Sequence, residues 1–169
     1  MLVVKKEINI GTKELLNNIV QGEKAVIIGM IERGDKLILR MINKINKENI
    51  QPIIDEHITE DAIVNTDESP IYKGALGQRE RRVVNHKAGQ YSFGENTTNR
   101  VEGMFAHLKR MIHGVHIFLS HKHLEYYNNM FCFRINTRDL DELDRISLLL
   151  TQTENTRLDY VTTTSRESF

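Results

Sequence analysis

Three observations predict an α/β fold, a mixed sheet covered by helices. The first half of the chain carries short runs rich in branched apolar residues, the second half carries apolar residues spaced three and four apart, and turn residues punctuate the first half. At 169 residues the chain can bury one full core, so one main domain is expected.

The elements follow in order. Leu2 to Val4 reads as the edge of an earlier strand that runs to about Ile10. Ala25 to Ile31 and Lys36 to Ile42 are two further strands, and Arg33-Gly34-Asp35 between them makes the pair a hairpin. Pro52 to Ile58 reads as a short helix with proline in its first turn, where a missing N–H removes no helical bond. Ala62 to Thr66 is a brief strand ending at Asp67, and Arg82 to Val84 is one more. After a glycine-containing loop over residues 85–96, a helix starts at Thr98 or Asn99. Val101, Met104, Phe105, Leu108, Met111 and Ile112 form its apolar stripe, and Gly114 stops it. A second helix opens at Ser120 and ends near Asn136, with Leu124, Tyr127, Phe131 and Ile135 on one face and Tyr126, Met130 and Phe133 widening it. Beyond Leu150 the chain is polar with little periodicity. Residues 1–145 are therefore expected to form the domain and 146–169 a frayed polar tail.

Charge narrows the range of partners. Lys plus Arg and Asp plus Glu both number 23, so the molecule as a whole exerts no net attraction on nucleic acid. The distribution is uneven. Lys73 to His123 holds nine Lys or Arg against three Glu, whereas Asp139 to Phe169 holds seven acids against three bases. A basic middle beside an acidic end suits polyanion binding by one face, and equally suits two solvated surfaces of opposite sign. The single cysteine, Cys132, cannot form an intrachain disulfide and fits a reducing compartment. No apolar run is long enough for a bilayer, so no membrane partner is expected. The expected location is intracellular, the nucleus for a eukaryotic source and the cytoplasm for a bacterial one.

Two carboxylates attract attention. Asp67 stands where a buried strand leaves the sheet, the place where ligand sites gather in open α/β sheets. Glu102 lies one turn into its helix, and Lys109 follows seven residues later on nearly the same face, with Arg110 beside it. Carboxylate oxygens suit Mg²⁺, and the basic pair suits phosphate. Each residue also has a plainer role. Asn99 and Glu102 match a capping box, Asp67 can close a turn, and Lys109 and Arg110 can be a solvated face. His113, His116, His121 and His123 lie close together without the cysteines or the regular helical His pair of a zinc site, so surface or phosphate contacts suit them better.

The joint order of these segments carries a resemblance. Val26 to Gly34, Pro52 to His57, Thr66-Asp67-Glu68, Val84-Asn85-His86, Thr98 to Arg110 and Phe131 to Leu140 occur in the order and spacing of the catalytic domain of DDE transposases of bacterial insertion sequences and their eukaryotic relatives, the Merlin elements. The chain resembles that family from about Gly22 to Asp144. The resemblance implies a ribonuclease-H-like fold, with Asp67 as the second catalytic carboxylate, Glu102 as the third, and both as ligands of Mg²⁺ or Mn²⁺. It implies supporting roles for Asn99 and Lys109, DNA as partner, and self-association on paired DNA ends.

One departure bears on activity. Ile10-Gly11-Thr12-Lys13 is similar to the family's stretch after its first carboxylate, and counting back from it puts Lys6 at the carboxylate position. Glu7 is next door, but alternation along a strand points it to the other face. Thr97 and Phe105 stand where the family often has histidine and tryptophan. The family usually carries an N-terminal DNA-binding module, so a domain truncated at its N-terminus is expected. Two functional classes follow. One is a metal-dependent enzyme of DNA transposition, hydrolysing a phosphodiester and joining strands. The other is a non-catalytic DNA-binding or protein-interaction module that uses Arg100, Lys109, Arg110 and Lys122 on phosphates.

Overall fold

The structure, a computed structural model, describes residues 7–15, 20–21, 25–32, 34, 36–84, 99–116 and 119–153. They fall into two units, residues 1–136 and 137–169.

The first unit is built on a five-stranded mixed sheet. Its strands are β1 (Glu7–Leu15), β3 (Ala25–Glu32), β4 (Leu37–Ile42), β5 (Ile63–Thr66) and β6 (Glu80–Val83), in the spatial order β4-β3-β1-β5-β6. A separate short pair joins β2 (Val20–Gln21) to β7 (Leu119–Ser120). β3 is antiparallel to both β1 and β4, whereas β5 runs parallel to β1 and to β6. The predicted hairpin is thus β3 and β4. The first strand extends past Ile10 to Leu15, and the segment before Glu7 lies outside the described residues.

Both faces of the sheet are covered, which explains why β3 reads as a continuous apolar run rather than an alternating one. Ala25, Ile27 and Ile31 point to one side, against Val101, Phe105 and Leu108 of α3 (Asn99–Met111) and Leu124 and Phe131 of α4 (Leu124–Asn136). Val26, Ile28 and Met30 point to the other. There they meet Ile50 and Ile54 of α1 (Lys47–His57) and Tyr72 and Ala75 of α2 (Ile71–Ala75). The mixed sheet between helices is the α/β arrangement that the sequence predicts, and it is compatible with a ribonuclease-H-like fold.

Several element boundaries differ from expectation for identifiable reasons. α1 starts at Lys47, so Pro52 is inside the helix and not in its first turn. The Asn46 side chain sets that start by accepting a bond from the Asn49 N–H at 3.1 Å, and Pro52 sits on the exposed side of the helix. Gly114 does not stop α3, because the chain continues as a π-helical turn over Ile112–His116. Before α4, His121–His123 form a 3₁₀ turn. Tyr126 and Met130 of α4 are exposed and do not widen its buried face.

In the second unit, α5 (Glu142–Thr153) continues three residues past Leu150, where the sequence suggested little periodicity. Asp141 caps it, accepting from the Asp144 N–H at 2.8 Å, and the Arg145 guanidinium donates to the carbonyls of Thr137 and Leu140. Among the described residues no helix is long and apolar enough to cross a membrane.

Candidate functional site

β5 delivers Asp67. The strand is buried on both faces and ends at Thr66, whose carbonyl accepts from the Val84 N–H at 3.0 Å. Asp67 then opens a turn in which its own Oδ1 accepts from the Ser69 N–H at 2.9 Å. The turn is held from outside by Arg81 of β6. Its Nε donates to Thr66 Oγ1 at 2.9 Å, and its Nη2 donates to the carbonyls of Asp67 and Ser69, both at 2.9 Å. The parallel register explains the reach, since Arg81 sits opposite Val64, two residues before Thr66.

α3 delivers Glu102 and Lys109. Two glycines let the helix lie close on the sheet: Gly11 and Gly29 are register partners on β1 and β3. A Cβ at Gly29 would stand 2.8 Å from Phe105 Cζ, and one at Gly11 would stand 3.1 Å from Val101 Cγ1. Phe105 therefore fills the space that the two missing side chains leave. With α3 seated this way, Glu102 and Lys109, seven residues apart, fall on one side of the helix and look over the end of β5.

The result is a cleft of about 390 Å³ between β1, the turn after β5, and α3. Its walls include Ile10, Gly11, Thr12 and Lys13, then Asp67, then Val101, Glu102, Phe105, Ala106 and Lys109. Two carboxylates and two ammonium groups share this space. Asp67 is half-buried and Glu102 exposed. Behind the cleft wall Tyr72 is buried, its hydroxyl 3.4 Å from Thr12 Oγ1, and burial pushes its pKa up to about 12.

Of the residues singled out from sequence, Asp67, Glu102 and Lys109 come together here. The others are dispersed. Arg110 is exposed one residue further around α3, and Arg100, also exposed, lies about 160° around the helix from Glu102 at 3.6 residues per turn. Lys122 is exposed on the 3₁₀ turn before α4. The Asn99 side chain and Lys6 lie outside the described residues. Glu7 lies on the α3 side of the sheet and not on the opposite face, since it alternates in step with Asn9 and Gly11. Distance removes it instead. It pairs in register with Ile63, four residues before Asp67 or about 13 Å along the strand, and its carboxylate is 3.4 Å from Arg82.

Sequence reasoning missed Lys13 as a cleft residue and Arg81 as the clamp on the Asp67 turn. Lys13 was visible only as the end of a landmark stretch. Among the described residues no three or more of His, Cys, Asp and Glu gather to hold a metal ion. His116 instead packs edge-on to Tyr127, with ring centroids 4.5 Å apart.

Comparison with known proteins finds one family. The ISXO2-like transposase domain matches residues 4–136, well over half of the chain. The chain belongs to that family. It is a transposase domain of DDE type, and the match ends where the first compact unit ends. No curated protein matches the chain.

Proposed function

We propose that this transposase-derived domain engages DNA at the cleft of Asp67, Glu102 and Lys109, and that its phosphodiester chemistry is silent in the chain as it stands. The observation that carries this reading is the make-up of the β1 wall. Of its four cleft residues, Ile10, Gly11, Thr12 and Lys13, none is a carboxylate and one is an ammonium. Asp67 and Glu102 are hard oxygen donors facing one space. They suit a single Mg²⁺ or Mn²⁺ whose remaining ligands come from water and substrate phosphate. When bound, such an ion polarises the phosphate and activates the attacking oxygen. A second ion for in-line displacement needs a further carboxylate, and Lys6 stands where the family's first one is expected. The wider family activity, DNA transposition with self-association on paired ends, is the ancestry we assign, and kinship with Merlin elements is part of the same proposal.

The alternative is a working enzyme, supported by the preserved grouping of Asp67, Glu102 and Lys109. A nicking and strand-joining assay on supercoiled DNA in Mn²⁺ separates the two, run on the unmodified chain, Asp67→Asn and Lys6→Asp. We expect no nicking by the unmodified chain and none after Lys6→Asp, because Glu7, the next residue toward the cleft, already pairs with Ile63, four residues before Asp67. Nicking by the unmodified chain that is lost in Asp67→Asn would sink the silent reading.

A further inference from the structure

The cleft holds one charged residue that neither the family's carboxylates nor its basic helix explains. Lys13 enters from the β1 wall and Lys109 from the α3 wall, so the two ammonium groups belong to opposite sides of one space. Among the described residues neither makes an ion pair. Their charges also match the chemistry the cleft requires. Two carboxylates at the floor of a DNA site repel the phosphodiester, and something positive must offset them before a polyanion can approach. A divalent ion does this in a metal enzyme. Here two ammonium groups offset two carboxylates, and the lysine on β1 also opposes entry of a cation.

We infer that Lys13 is a DNA-contacting residue, and that with Lys109 it makes the cleft a phosphodiester site that needs no metal ion. This rests on the reading that the cleft faces DNA. Lys13 is exposed at the cleft mouth. An ammonium on a flexible stem suits such a contact, because it serves as a point charge and needs no fixed fork geometry. The partner is duplex DNA held by its backbone, with little preference for sequence.

The test is binding of the full chain to a fluorescent DNA duplex in EDTA, measured by anisotropy across a salt series. Lys13→Gln, Lys109→Gln, the double variant and Lys13→Arg are compared with the unmodified chain. Each phosphate contact contributes about 0.9 to the slope of log affinity against log salt. We expect each Gln variant to reduce that slope by about one, the double variant by about two, and Lys13→Arg to retain it. The urea midpoints should stay unchanged, since both substitutions leave the core intact. An unchanged slope in Lys13→Gln beside a reduced one in Lys109→Gln would overturn the role of Lys13. Binding that appears only when Mn²⁺ replaces EDTA would overturn the metal-free site. Failure to bind duplex under either condition would instead remove the DNA reading on which the inference stands.

Discussion

Arg81 joins three oxygens of one turn, one side-chain hydroxyl and two carbonyls. Its partners are Thr66 Oγ1 and the carbonyls of Asp67 and Ser69, all at 2.9 Å, while Asp67 Oδ1 is held by the Ser69 N–H. A planar guanidinium can meet all three oxygens at once, and an ammonium cannot. Bonds from a charged donor contribute about 1.5–3 kcal/mol, reduced here because the group is partly exposed. Arg81→Gln should therefore lower the urea unfolding midpoint by the equivalent of about 1–2 kcal/mol, and Arg81→Lys should recover less than half of it. A midpoint equal to the parent's in Arg81→Gln would show that the turn holds itself. The position of Asp67 was legible in the sequence because a branched apolar run stops there. Arg81 was not, because its partners are set by the parallel register of β5 and β6, and no local pattern encodes a register between strands joined through a helix.

At the scale of elements, α4 serves β4 in a way that its apolar stripe does not announce. β4 is an edge strand, and such a strand leaves every second N–H and C=O unpaired. The Asn136 side chain takes the place of a missing strand at Leu37, accepting from its N–H at 2.7 Å and donating to its carbonyl at 2.9 Å. About three turns earlier on α4, Glu125 Oε2 accepts from the Met41 N–H at 3.0 Å, further along the same strand. Both ends of the edge are thereby closed by one helix. Asn136→Ala removes two bonds and reopens the edge, so it should cost about 1–3 kcal/mol. It should also raise self-association on a sizing column, since an open edge pairs with another. A stable variant that elutes as the parent does would count against this account. The existence of both β3–β4 and α4 could be read from periodicity, and so could the span of α3 up to Met111. What failed were boundaries fixed by side chains at a distance from the periodic run. Asn46 starts α1 before its proline, and the π-helical turn carries the chain past Gly114.

The first unit as a whole is a sheet buried on both faces, and a titratable group sits in each layer. Tyr72 is packed among the apolar residues of the α1 and α2 side, and Cys132 of α4 lies against those of the α3 and α4 side. Burial pushes the Tyr72 hydroxyl from 10.0 up to about 12, and burial pushes the Cys132 thiol from 9.0 up to about 11. Both groups are neutral when protonated, so the folded state keeps each proton to a higher pH than the unfolded chain does. The stability they contribute is fully present below about pH 9. It is lost from about pH 9 to 11 for the thiol and from about 10 to 12 for the phenol, as the unfolded chain ionises first. The urea midpoint should hence fall between about pH 8 and pH 10.5, and Cys132→Ala should flatten the early part of the fall. Tyr72→Phe keeps the ring in its layer and gives up only the long 3.4 Å contact to Thr12, so it should flatten the later part with little loss at pH 8. Other groups that titrate in this range, the lysines above all, are common to every variant, and the comparison of slopes cancels them. If both variants lose stability as steeply as the parent does, the two layers do not exclude water from these groups, and the two-faced core described here is wrong at its centre.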